Sequence, residues 1–184
     1  MREEFDAAES LYRRLYDTAA SRNDGPVAAR AGLGIMLQHL GDALQRPREQ
    51  DRILARSRAL GEEILERFPN APASAYVAFQ IAYSIPLGDD EGRAASKAAY
   101  ERVLADYPRS RHVKESRFRE IFSQMNTRTL EQYLPAIEQF RRDFPDSNLN
   151  INLESYAEYI RDFRERRTRL AEERQAEREQ RSQP

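Results

Sequence analysis

Asp89, Asp90 and Glu91 are three consecutive acids followed by Gly92, a grouping that invites a calcium reading. A calcium loop needs acids at alternate positions, a central Gly and a distal Glu. The alternation and the distal Glu are both missing, whereas such acids serve well as caps for the first amides of a helix. His39 and His112 are the only histidines and lie far apart in sequence, so no histidine metal cage is expected. Each reads as an ordinary surface or boundary residue. The absence of Cys excludes disulfides, thiolate metal sites and a cysteine nucleophile. Seven Gly without a Gly-rich loop leave nothing to cradle a nucleotide phosphate. Carboxylates are plentiful, yet none is paired specifically enough for acid–base work. No catalytic residue, cofactor or metal ligand is assigned, and no enzyme is expected.

Residues suited to binding are easier to find. Tyr76, Val77, Phe79, Ile81, Tyr83 and Ile85 surround one helical segment with apolar groups, so it should sit centrally. Its polar stripe is narrow: Gln80 and Ser84, flanked by Tyr76 and Tyr83. An amide between two tyrosines suits an extended peptide, because the amide pairs with backbone while the rings supply contact area. The alternative is that both tyrosines pack between neighbouring helices. Residues 109–119 hold five basic side chains against one acid, Glu115, a local net charge of +4. Within this run, Arg111, Lys114 and Arg117 are candidates for clamping an acidic side chain or a C-terminal carboxylate. The alternative is that their stems lie along the core while their charges reach water. Nucleic acid is not expected as a partner, since 30 basic and 31 acidic residues leave a net charge of −1.

These groups must be positioned by helices. Apolar residues at three- and four-residue spacing predict helices over about 3–20, 26–41, 47–68 and 72–85. A fifth follows Asp89-Asp90, and a sixth runs from Ser110 to near Met125. The seventh runs from Thr129, at capping-box spacing from Gln132, to Phe144. Pro135 should bend it, and Pro47 should open the third helix. The eighth starts after Asp146-Ser147 and runs towards residue 178. No alternating strand pattern occurs. Along the eighth helix Leu149, Tyr156, Phe163 and Leu170 recur every seven residues, supported by Leu153 and Ile160. That stripe can cap an exposed end of the protein. It also offers Tyr156, Phe163 and Leu170 for docking on a partner or on a second copy.

The helices repeat. Phe68-Pro69-Asn70-Ala71, Tyr107-Pro108-Arg109-Ser110 and Phe144-Pro145-Asp146-Ser147 lie 39 and 37 residues apart. Upstream, Glu62 to Phe68 aligns with Glu101 to Tyr107 and with Glu138 onwards in the third copy. The third position of each copy is apolar and the aromatic precedes proline. Periods of this size mark stacked helical hairpins that share one core, because a single hairpin cannot bury its own apolar face.

On these residues the chain resembles tetratricopeptide (TPR) repeats. It is closest to the degenerate type of bacterial outer-membrane assembly lipoproteins and Tol-Pal accessory proteins. Tyr107-Pro108-Arg109-Ser110 with Tyr100 and Val103, Phe68-Pro69 with Ile64, and Ala31-Gly32-Leu33-Gly34 carry the likeness. Ser57, Ser96 and Tyr133 depart from it, standing where that family prefers Ala. The units are also longer than the family's usual length of about 34 residues. The resemblance implies an all-α, right-handed superhelix of about three and a half repeats over 1–146. A long C-terminal helix over 147–178 and a disordered tail over 179–184 would follow. It implies a concave groove lined by the first helix of each pair and a non-catalytic scaffold binding a protein or peptide, in envelope assembly.

No apolar run approaches the roughly 20 residues needed to span a bilayer. The start, Met1-Arg2-Glu3-Glu4-Phe5, lacks the basic-then-apolar order of a signal peptide. A periplasmic location is expected if a targeting segment has been removed, and a cytoplasmic one if Met1 is the true start.

Overall fold

The computed structural model describes residues 2–124 and 130–181, with side chains over 7–124 and 132–175. Every regular element among them is helical: α1 (Arg2–Ser21), α2 (Gly25–Gln45), α3 (Gln50–Arg67), α4 (Ser74–Tyr83), α5 (Asp90–Asp106), α6 (Val113–Gln124), α7 (Leu134–Asp143) and α8 (Leu149–Arg181). A short 3₁₀ turn, Leu130–Tyr133, leads into α7. The chain divides into two compact units, Met1–Gln124 and Met125–Pro184.

The helix ends follow from local chemistry. Asn23 takes a left-handed φ of 55°, a conformation Asn tolerates, and this ends α1. The Asp24 carboxylate then accepts from the Val27 amide at 3.3 Å, and Pro26 stands in the first turn of α2. At α5 the Asp89 carboxylate accepts from the Gly92 amide at 2.7 Å, so the acid run caps a helix as expected. Pro47 does not open α3; it lies in a turn, and α3 begins at Gln50. Pro135 does not bend a longer helix either. It stands in the first turn of α7, where its missing N–H costs nothing. The expected Thr129–Gln132 capping box and the end of α6 at Met125 fall on residues outside those described, as does the tail beyond Arg181. α8 extends past the expected end at 178.

The aromatic–proline repeat is a repeated backbone geometry. Phe68, Tyr107 and Phe144 close their helices at φ/ψ of −134°/54°, −128°/52° and −133°/62°. Their amides donate to the carbonyls of Ile64, Val103 and Phe140 at 2.8, 3.0 and 2.9 Å. Proline then forbids another helical amide. The aromatic carbonyl accepts from the residue three further on, Ala71, Ser110 or Ser147, at 3.2, 2.9 and 3.1 Å. This is a turn with Pro at its second position, which fixes φ in advance.

In the first unit each helix packs on its chain neighbours, and α2 also packs on α4. The core joins Tyr16 and Ala19 of α1 and Ala28, Ile35 and Met36 of α2 to Leu60 and Ile64 of α3, Phe68 just beyond it, and Val77 and Ile81 of α4. Val103 of α5 completes it. Fully burying a side chain such as Ile35 or Ile64 contributes about 1.5–3 kcal/mol. The helices approach closely because small residues stand at the contacts. A Cβ added to Gly61 would lie 2.7 Å from Ile81 Cγ1 and 2.8 Å from Met36 Cε. Ser57 and Ser96 are buried as well. Polar bonds also link α1, α3 and α5. The Tyr16 hydroxyl donates to Glu63 at 2.7 Å, Arg67 donates to the Ala20 carbonyl at 3.0 Å, and Arg102 donates to Glu62 at 3.0 Å.

In the second unit, Ile137 and Phe140 of α7 and Leu153, Ala157 and Ile160 of α8 are buried. α7 and α8 pack on each other, and α8 also meets the 3₁₀ turn. From residue 164 to 175 every side chain of α8 is exposed.

Candidate functional site

Two of the aromatic–proline turns lie in the first unit. The turn after α3 and the turn after α5 lie beside each other there. The Tyr107 hydroxyl donates to the Pro69 carbonyl at 3.0 Å and joins them. Between these turns and the first turns of α2 and α4 opens a cavity of about 840 Å³. That size falls within the range of small-molecule and peptide pockets, about 300–1,000 Å³.

Its lining is built from three stretches: 26–33 in α2, 69–76 leading into α4, and 106–112 leading into α6. Four prolines, Pro26, Pro69, Pro72 and Pro108, stiffen the walls, with Leu33, Ala71, Ala73 and Tyr76 adding apolar surface. Arg30, Arg109 and Arg111 stand around it, all exposed. The acid in the lining, Asp106, lies 3.5 Å from Arg102 and is thereby engaged.

His112 supplies the junction between α4 and the start of α6. Its ring stacks on Tyr76 at 4.5 Å between centroids and 17° between planes, and it lies 5.5 Å from the Phe79 ring. Arg111 Nε approaches His112 Nε2 at 3.4 Å, and the Ser110 hydroxyl accepts from the His112 amide at 3.1 Å. Burial holds the His112 pKa below the usual histidine value, and the neighbouring Arg111 adds to the shift against the opposing pull of Glu115. At neutral pH the ring is therefore an uncharged wall of the cavity.

Among the described residues no group of His, Asp and Glu could hold a metal ion. The arrangement can bind: it offers an apolar recess, carbonyl and amide groups of the turns, and guanidinium donors at the rim.

The candidates from sequence are distributed as follows. Tyr76 and Arg111 meet at the cavity. Gln80 lies outside its lining and is 8% exposed, covered where α4 packs among α2, α3 and α5. Tyr83 is 41% exposed at the far end of α4, with the Arg119 guanidinium 5.0 Å above its ring. Lys114 is exposed outside the lining, and Arg117 pairs with Glu120 at 2.5 Å. On α8, Tyr156 and Phe163 are half-buried, whereas Leu170 is 53% exposed. Arg30, Tyr107 and His112 line the cavity without having been singled out for binding. The repeat itself held the signal for two of them: Tyr107 is the aromatic of the second copy, and His112 follows it within five residues. Arg30 carried no comparable mark.

Comparison of the chain with protein-family models, curated proteins and solved structures returned no match. Among the described residues no helix is long and apolar enough to cross a membrane.

Proposed function

We propose that the chain is a non-catalytic binding module of stacked TPR-like hairpins, which holds a segment of a partner protein. The observation that carries this reading is the cavity of about 840 Å³ between 26–33, 69–76 and 106–112. It combines a stiff apolar recess with a charged rim, the pattern of a specific recognition site. Tyr76 and Arg111 belong to it, and the TPR resemblance supports the same kind of work. That resemblance also suggests a role in assembling the bacterial cell envelope.

Ala75 lies in the lining and is half-buried, so Ala75→Trp should fill the recess from its wall. Affinity capture from native lysate, with wild type beside Ala75→Trp, tests the proposal. The expected result is a partner retained by wild type and lost by the variant, both melting alike. Equal capture by both would sink the cavity as the binding site.

A second reading rests on α8. Tyr159 is 47% exposed and Leu170 53% exposed on a helix whose residues 164–175 are all exposed. In this reading the protein is a structural subunit that self-associates or docks through Tyr156, Phe163 and Leu170. Mass in solution decides it: a dimer lost on combining Phe163→Asp and Leu170→Asp would favour α8 over the cavity.

A further inference from the structure

Several arginines of the first unit are matched with acids: Arg46 with Asp42, Arg67 with Glu63, Arg93 with Asp90, Arg102 with Glu62 and Arg117 with Glu120. The three rim arginines are not. Arg30, Arg109 and Arg111 form no ion pair with an acid among the described residues. The acid beside them, Asp106, already lies against Arg102. His112, on the same wall, is held neutral by burial and by Arg111. Like charges around one concavity repel one another, and the same field attracts a negative ligand. In a chain of net charge −1, this is a local positive field and not a general one.

We propose that the cavity selects an internal acidic segment of its partner. An apolar side chain of that segment would sit against Leu33, Ala71 and Tyr76, and its carboxylates would meet Arg30, Arg109 and Arg111. The inference rests on the binding-module reading above and names the ligand class for that site. Each element of the lining argues for the peptide. A free inorganic anion would leave the apolar recess unused. A nucleic-acid strand needs open aromatic faces and a charged track, yet Tyr76 already has His112 stacked against it. Three guanidinium groups from two separate stretches suit several carboxylates along an extended chain better than a single terminal one.

The test is selection from a library of random 12-residue peptides displayed within a carrier loop, so that no peptide ends in a free carboxylate. The full chain is the bait, and Ala75→Trp is the counter-selection bait. Selected peptides should be rich in Asp and Glu around one aromatic or aliphatic residue. Their affinity should fall at least about tenfold on replacing Arg30, Arg109 and Arg111 with Gln, and should also fall between about 50 mM and about 500 mM salt. Circular dichroism melting of both variants separates loss of binding from loss of fold. Neutral or basic peptides that need the open cavity but not the arginines would overturn the acidic selection and leave the binding module standing. Peptides indifferent to Ala75→Trp, or none at all, would overturn both. A single-stranded RNA of similar length that bound more tightly than any selected peptide would overturn the ligand class.

Discussion

The Tyr107 hydroxyl and the Pro69 carbonyl meet at 3.0 Å across 38 residues of sequence, and this one bond ties together two turns of identical plan. Both turns form walls of the cavity. The bond therefore links the repeat, which is a property of the chain, to the recess, which is a property of the fold.

Tyr107→Phe removes only that hydroxyl. The Pro69 carbonyl lies at the surface, where water replaces the lost donor, so the cost should be about 0.5–1.5 kcal/mol. Urea unfolding measures it. Hydrogen exchange at Ala71, Ala73 and Ser74 should quicken more than at Ile64 in the core of α3. A uniform change across both sets would show that the bond acts on global stability alone.

Gly92→Ala should destabilise although Ala is the better helix former. The added Cβ would lie 2.1 Å from the Pro86 carbonyl oxygen, a backbone atom that cannot move without shifting the loop that enters α5. Helix propensity favours Ala by about 1 kcal/mol, and overpacking costs about 1–3 kcal/mol. A net loss is expected in thermal unfolding. Gly88→Ala, whose Cβ would meet nothing within 4 Å, is the control and should be close to neutral.

His39 should make the protein less stable as the solution is acidified. It is buried in α2 with Glu9 3.4 Å from its Nε2, and its Nδ1 has no partner. Burial lowers its pKa below 6.5, with Arg56 and Arg13 assisting and Glu9 opposing. Between the folded value and 6.5 the unfolded chain binds more protons than the native one, so stability rises with pH through that window. It is fully present above about pH 6.5 and declines below it. His39→Gln should flatten the fall in melting temperature between about pH 7 and about pH 5.5. An unchanged fall would assign it to other groups.

Tyr16 should act at the alkaline end. Burial and the hydrogen bond to Glu63 raise its pKa to about 12, against a weaker lowering by Arg67. The unfolded chain releases its phenolic proton near pH 10, so stability is lost as pH rises through the interval from about 10 to about 12. Tyr16→Phe should cost stability at neutral pH, by about 0.5–1.5 kcal/mol, and lose less on alkalinisation. Chemical denaturation at the two pH values measures both effects.

The second unit separates packing from exposure along one helix. Ile160 is fully buried and Leu170 is 53% exposed. Ile160→Ala should destabilise by about 2–5 kcal/mol, while Leu170→Ala should change stability by less than about 0.5 kcal/mol. Hydrogen exchange over α8 reads both.

The helical class, the α5 cap at Asp89 and the three aromatic–proline turns were legible in the sequence, because they depend on neighbours within a few residues. Whether a helix starts at Pro47 or Gln50 was not, since a proline suits a turn and a first helical position equally well. The apolar character of α4 announced its burial, yet it also suggested that Gln80 would face a ligand. Packing among α2, α3 and α5 covered that amide, and no local pattern records which side of a helix its neighbours will occupy. Similarly, the heptad stripe of α8 gave no warning that burial would end near Ile160 and leave Leu170 in solvent.

What the sequence determined alone was the alphabet of elements and their period, through hydrophobic spacing and the stereochemistry of proline. Only the tertiary structure decided the site. Arg30 and Arg111 are 81 positions apart, and the packing of the first unit's helices brings both to one rim. That meeting depends on how closely the helices approach, set by contacts such as Gly61 against Ile81 and Met36. Close approach is a sum over many side chains of the whole unit, and no short stretch of sequence contains it.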